Sequence, residues 1–285
     1  MALFSAYFDE SYGIEDAYSV AGYVGTVAQW IQFEREWKEM LEHFEIAYLR
    51  KSELENLRGE FEVWRDFPKE KQDALKKKVN QWAISIIKRR VNAGFAASIK
   101  KSDWESIDKN RIAERVMGTG FYASGAKACL QLVRGWAEQY KRESVDYLFE
   151  SGADGANELS EMLFDIRKDP IRRRNHVLDS WGFGDGKPDK TDPDRPVIVQ
   201  FQAADFLAYE TYRHIGNRVV SGIKTNKEGK EIPIRKAYTE LVGHRRHAYQ
   251  ATPHFLLYFD KDMIMEFLNA IDYLMDQALK KPPFI

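Results

Sequence analysis

Three carboxylates stand where short apolar runs end or a helix begins. Asp9 follows Leu3–Phe8, Glu150 follows Val145–Phe149, and Asp205 lies just inside a helix that grows out of an extended start near Val197. Neighbouring strands lie only about 4.8 Å apart and their ends open into one crevice, so side chains placed this way can converge. Alternation along the strand sends Asp9 and Glu10 to opposite faces and leaves one of the pair for such a cluster. Carboxylates that converge without Cys or His suit hard cations such as Mg²⁺ or Mn²⁺. Two ions a few ångströms apart on such a platform stabilise in-line attack on a phosphodiester. Spacing alone leaves the ordinary alternative open, since Asp and Glu are common at strand ends and helix starts.

Other candidate chemistry is thinner. His244 and His247 sit at i, i+3 without an evident third ligand and read as solvent-facing polar residues. His214, beyond Asp205 on the same helix, could assist proton transfer or simply be a satisfied structural histidine. Thr119, Ser124 and Ser151 lack a nearby His–acid pattern, which argues against a serine hydrolase. Gly118-Thr119-Gly120 and Gly182-Phe183-Gly184-Asp185-Gly186 lack the Lys-Ser/Thr of a phosphate loop. The single cysteine, Cys129, excludes an internal disulfide and a cysteine-based zinc site.

The elements that must carry these residues follow from periodicity. Leu3–Phe8 and Tyr18–Val24 read as an antiparallel hairpin around the polar turn Asp9–Gly13. Trp30, Phe33, Trp37, Met40, Leu41 and Phe44 recur at helical spacing and predict a helix with a core-facing stripe. Residues 46–60 are ambiguous. Pro68, at the N1 position, opens a second long helix. Val91–Ile99 reads as a strand, 103–117 and Phe121–Tyr140 as helices, Val145–Phe149 as a strand. A helix near Ala156–Ile166, a strand around His176–Trp181, an exposed loop over 182–196 and the helix from Val197 to Tyr212 follow. Residues 217–233 read as a loop; a helix near Ile234–Leu241, a strand at His254–Phe259 and a helix at Lys261–Leu279 close the chain. Hairpin strands followed by strands alternating with helices predict an α/β fold, a mixed sheet covered by helices.

Composition sets the outer bounds. The chain has 285 residues, 44% hydrophobic and 31% charged, with seven Trp, fourteen Tyr and seventeen Phe, which is ample for a large core and excludes a disordered protein. No run of eighteen apolar residues could form a spanning helix, and the N-terminus, acidic by position 9, does not read as a signal peptide. The expectation is a reduced, cytoplasmic protein that spans no membrane. The net charge of −1 supplies no global pull toward polyanions, yet residues 1–66 carry fourteen acidic and six basic side chains, so the remainder is net positive.

The segment Phe8-Asp9-Glu10-Ser11-Tyr12-Gly13, with Val20-Ala21-Gly22-Tyr23-Val24 close behind, resembles the opening of the DUF3800 family, in which a strand runs into Asp-Glu-Ser-Gly before a glycine-rich hairpin. Tyr12 stands at the family's usual Gly. Gln202-Ala203-Ala204-Asp205-Phe206-Leu207-Ala208 resembles the family's Gln-x-Ala-Asp-x-x-Ala helix start, Asp179-Ser180 its preceding Asp-Ser pair, and Lys51-Ser52-Glu53-Leu54 with Gly59-Glu60-Phe61 a weaker segment after the first helix. The similarity spans roughly residues 3–215. It implies a ribonuclease H-like mixed sheet with enlarged helical insertions and divalent-metal-dependent nuclease chemistry. Asp9, Glu150 and Asp205 would then be the ligands for Mg²⁺ or Mn²⁺. Glu10, Gln202 and Asp179 would support them, Gln202 by orienting a ligand or phosphate one helical turn before Asp205.

These readings give a single domain over 1–285, with helical insertions near 27–90 and a C-terminal appendage at 217–285. The expected function is phosphodiester hydrolysis on RNA or DNA. Lys88, Arg89 and Arg90 before the third strand, and Lys100 and Lys101 after it, are the expected nucleic-acid contacts. The rival is a catalytically silent binding or regulatory module that keeps the fold.

Overall fold

The computed structural model describes residues 4–106, 120–140, 144–189, 191–192, 195–216 and 254–259. Six strands form one mixed sheet in the order β5-β4-β1-β2-β3-β6. They are β1 (Phe4–Tyr12), β2 (Tyr18–Thr26), β3 (Ala93–Ile99), β4 (Val145–Glu150), β5 (Leu178–Gly184) and β6 (His254–Phe259). The β1-β2 and β2-β3 pairs are antiparallel, whereas β1-β4, β4-β5 and β3-β6 are parallel. The α/β class and the helix-covered mixed sheet expected from the sequence are therefore present.

Alternation along β1 builds two layers. Phe4, Ala6 and Phe8 face a core with Val145, Tyr147 and Phe149 of β4, covered by α5 (Phe121–Gln139) and α6 (Ala156–Lys168). The opposite face, through Ala21 and Tyr23 of β2, packs against α1 (Val27–His43), α3 (Lys69–Arg90) and α8 (Gln200–Ile215). Between α1 and α3 lie the short α2 (Lys51–Asn56) and a 3₁₀ segment, Gly59–Asp66; α4 (Lys101–Ser106) follows β3, and α7 (Pro170–Asn175) precedes β5. A capping box opens α1: Thr26 Oγ1 accepts from Gln29 N while the Gln29 side chain accepts from Thr26 N. The stripe Trp30, Phe33, Trp37, Met40 and Leu41 is buried as its spacing requires.

Several boundaries differ from the sequence reading, each for a local reason. The hairpin does not turn at Asp9. Pairing continues through Asp9↔Ala21 to Tyr12↔Tyr18, whose rings stack with centroids 5.2 Å apart, so Asp9 lies inside a strand. Pro68 is the N-cap of α3 rather than its first residue. The strand expected around His176–Trp181 begins at Leu178 and runs to Gly184, because Asp169 caps a short helix, α7, through Ile171 N and Arg172 N. The loop expected over 182–196 accordingly starts later, and Gly186 is buried. Of the appendage 217–285, only β6 lies among the described residues; the readings at 217–233, 234–241, 244, 247 and 261–279 lie outside them, as does most of the helix expected over 103–117.

Gly22 is where the hairpin is tightest: a Cβ there would stand 2.0 Å from Tyr7 O and 2.6 Å from Phe8 Cδ1. Gly22→Ala should lower the stability measured by denaturant unfolding by about 1–3 kcal/mol through forced overpacking. Gly182→Ala, where nothing lies within 4 Å of the added atom, should change it by less than about 0.5 kcal/mol. Equal effects at the two sites would contradict the packing described for β1 and β2.

Candidate active site

Register and alternation bring the first two carboxylates together. Phe8 pairs with Phe149 in the parallel β1-β4 ladder, so the next residues, Asp9 and Glu150, lie side by side on the face opposite Phe8. That face carries α8, which packs across β1 and β2 and presents Asp205 from its second turn. Asp9, Glu150 and Asp205 are all buried. Asp9 interacts with both Glu150 and Asp205, so the three carboxylates are neighbours, although Asp9 lies within β1 and not at its end.

A cation stands among them that the sequence reading did not single out. Arg50, immediately before α2, donates from Nη2 to Glu150 Oε1 at 2.5 Å and places Nη1 4.0 Å from Asp205 Oδ1. Its neighbours hold it there. Leu49 N donates to Gln202 Oε1 at 2.9 Å, and Lys51 N donates to Asp205 Oδ2 at 2.6 Å. The Lys51 side chain, fully buried, ion-pairs with Glu210 at 3.3 Å, bonds Asn80 Oδ1 at 2.9 Å and also reaches Glu55. The segment 49–51 is thus pinned to α8 and α3 on both sides of Arg50.

Gln202 is a frame member, not a free ligand. Its Oε1 accepts from both Trp37 Nε1 and Leu49 N, and its Nε2 donates to Gly186 O. It ties α1, the Arg50 segment and the Gly186 loop to α8. Gly186 N in turn donates to Glu150 Oε1 at 3.4 Å. Glu10 departs from the alternation argument differently. Its backbone position alternates away from Asp9, yet its carboxyl interacts with those of Asp9 and Glu150. Four carboxylates therefore share the site.

The remaining expected residues separate by their place along the sheet. Asp179 lies at the start of β5, whereas Glu150 pairs with Gly184 at its far end; Asp179 meets Arg173 at 3.3 Å and takes no part in the cluster. Lys88, Arg89 and Arg90 end α3 just before β3, at the end of the sheet away from Asp9, and Arg89 and Arg90 both bind Glu36. Lys100 and Lys101 follow β3 at the end where Ile99 pairs with Tyr18, the same end as Asp9. Lys100 bonds Asp103 at 2.7 Å and Lys101 bonds Gly13 O at 3.1 Å.

Electrostatics follow from burying like charges. Asp9 is raised well above the ordinary carboxylate range by burial first, then by Glu150, Asp205 and Glu10. Its Oδ1 accepts from Glu10 N, while Oδ2 is buried without a hydrogen-bond donor; when Asp9 is protonated it can donate to Glu150. Asp205 is pushed up to about 6 by burial, with Arg50 and Lys51 N opposing the rise and Glu150 adding to it. Burial pulls the Arg50 guanidinium down, but Asp205, Glu150 and Asp9 together raise it above its usual value.

Among the described residues no three His, Cys, Asp or Glu side chains form a group arranged to hold a metal. The contacts explain this: Arg50 occupies the approach between Glu150 and Asp205, and Asp205 Oδ2 is turned to Lys51 N. The donor chemistry nonetheless fits a hard cation. All donors are carboxylate oxygens, and Asp9 Oδ2 and Glu10 Oε2 are buried acceptors without a donor among the described residues. No protein-family model matches the chain, and neither does any curated protein.

The Asp205 shift has a definite sign. A carboxyl whose folded-state pKa exceeds the unfolded value binds its proton more tightly when folded, so its contribution is favourable at low pH and is lost as pH rises. In metal-free buffer, stability should fall between pH 3.8 and about 6 on account of this group. Asp205→Asn should flatten that part of the profile by on the order of 1–3 kcal/mol. A profile from chemical denaturation that is unchanged in the variant would show that Asp205 is not strained by its surroundings.

Proposed function

We infer that the protein is a divalent-metal-dependent phosphodiesterase acting on RNA or DNA, a relative of the DUF3800 family with a ribonuclease H-like sheet. The observation that carries this reading is the buried group of carboxylates from β1, β4 and α8, with acceptor oxygens on Asp9 and Glu10 left without donors. An antiparallel β1-β2-β3 unit continued by parallel β4 and β5 is the sheet that such a fold requires.

Asp9, Glu150 and Asp205 would hold Mg²⁺ or Mn²⁺, which supplies an activated water and charge compensation on the phosphodiester when bound. The chain's own residues set the rest. Asp9 and Glu150, side by side through the β1-β4 register, define the cation's seat. Gln202 and Lys51 fix the depth of α8 and of the Arg50 segment. Arg50, with 29% of its side chain exposed, is anchored from below yet open to solvent. It can release Glu150 and turn its guanidinium to a phosphate, which it matches in shape and charge. Lys100 and Lys101, at the same end of the sheet, would contact flanking phosphates.

One observation favours the rival reading, a silent module. Arg50 already neutralises Glu150 and Asp205, so the cluster has a resident counterion and can be a structural ion network. Cleavage of labelled RNA and DNA with Mn²⁺ separates the two. The enzyme reading expects wild-type cleavage that EDTA abolishes and that Asp9→Asn lowers by at least about 100-fold, on the order of 3 kcal/mol in the barrier. Activity equal in wild type and Asp9→Asn, or none on either polymer, would establish the silent module.

A further inference from the structure

The end of the sheet opposite the carboxylates carries a pocket lined by side chains of the opposite charge. Where β4 and β5 begin, the last turn of α6, residues of α7 and Val177 border an open surface pocket of about 320 Å³. Arg167, Arg173 and Arg174 line it, with Pro170, Val177 and Leu178 as its apolar wall, and no acidic side chain is among the lining residues. The three guanidinium groups are differently employed. Arg173 is held in place by Leu178 O at 3.2 Å and Asp179 at 3.3 Å. Arg167 lies over the Trp181 ring, 5.6 Å from its centroid, a contact that leaves the edge of its fork for another partner. Arg174 makes no ion pair among the described residues.

Two independent features mark this corner. The surroundings are rich in basic side chains: burial and then Arg172 push the Lys127 ammonium down to about 8, and His176 is lowered by burial, with Lys127, Arg134 and Arg172 adding to the effect. The backbone is strained there as well. Val177 has φ 47°, a left-handed conformation that a β-branched residue rarely adopts. Its N–H donates to Arg174 O and its carbonyl accepts from Val145 N, so the strained residue ties the end of α7 to β4.

We propose that this cavity binds a phosphomonoester, with the phosphate gripped by Arg167 and Arg174 beside the fixed Arg173. Guanidinium forks match phosphate oxygens in geometry and charge. A volume of about 320 Å³ is at the small end for ligand pockets and suits a mononucleotide-sized molecule or the terminal phosphate of a strand rather than the side of a duplex. This inference is independent of the carboxylate site.

Isothermal titration with adenosine 5′-monophosphate, adenosine, and a short single strand with and without a 5′-phosphate tests it. Wild-type protein should bind the monophosphate or the 5′-phosphorylated strand, or both, and neither unphosphorylated counterpart; which one binds identifies the source of the phosphate. Arg174→Gln and Arg167→Gln should each weaken binding by at least about tenfold, the loss of one charge-assisted contact. Arg65→Gln, paired with Glu62 on the other face of the sheet, should leave it unchanged. Matching thermal unfolding of wild type and variants excludes misfolding, and either arginine variant suffices if the other fails to fold. No binding of any phosphorylated probe, equal binding of the unphosphorylated strand, or affinities unmoved by both arginine variants would overturn the proposal.

Discussion

Burying several carboxylates in one place is the constraint around which the rest is arranged. Each costs several kcal/mol to take out of water unless it is paired, and their mutual repulsion adds to that. The protein meets the cost with one guanidinium, a few backbone donors and retained protons. Arg50 serves Glu150 and Asp205, Lys51 N serves Asp205, Gly186 N serves Glu150, and Asp9 is left so poorly compensated that it is held toward its neutral form. The arrangement leaves acceptors to spare beside a partly exposed internal cation, and the proposed metal site rests on these features. A fully satisfied ion network would not leave Asp9 Oδ2 and Glu10 Oε2 without donors.

The architecture reads as the support for that cluster. The β1-β4 register sets Asp9 beside Glu150, the close approach at Gly22 keeps β2 tight against β1, and α8 lies across both strands. Gln202 uses its whole amide to bind three separate segments, and Lys51 satisfies its ammonium with groups from α2, α3 and α8. Both are buried polar anchors whose partners are all in place, the condition under which such groups specify one arrangement. The insertions between β2 and β3 therefore deliver Arg50 as well as covering one face of the sheet.

The parts of this that were legible in the sequence are those with short-range signals. Apolar, β-forming runs at Leu3–Phe8 and Val145–Phe149 gave the strands, alternation separated Asp9 from Glu10, and the spacing of Trp30, Phe33 and Trp37 gave the core side of α1. The nearness of Asp9 and Glu150 followed from those elements, although Asp9 lies within β1 and not at its end. Arg50 was not legible, because its partners are 100 and 155 residues away and it sits in the ambiguous stretch 46–60. Its only local signal was the Lys51-Ser52-Glu53-Leu54 segment next to it. Gln202 was picked out for its helix face, but its bonds to Leu49 and Gly186 were not legible, since they depend on loops that no periodicity predicts. Asp179 and the basic run 88–90 were misplaced for a related reason: a strand carries charge at both ends, and only the pairing register says which end is near Asp9.

The central claim is that Arg50 holds a place among these carboxylates that a divalent cation can take. Titration of Mn²⁺ into wild-type and Arg50→Met protein, followed by electron paramagnetic resonance of the free ion, tests this most directly. Removing the competing guanidinium should tighten Mn²⁺ binding by at least about tenfold, a small part of the charge–charge interaction it relieves. Equal affinity in the two proteins, or no Mn²⁺ bound by either, would contradict it.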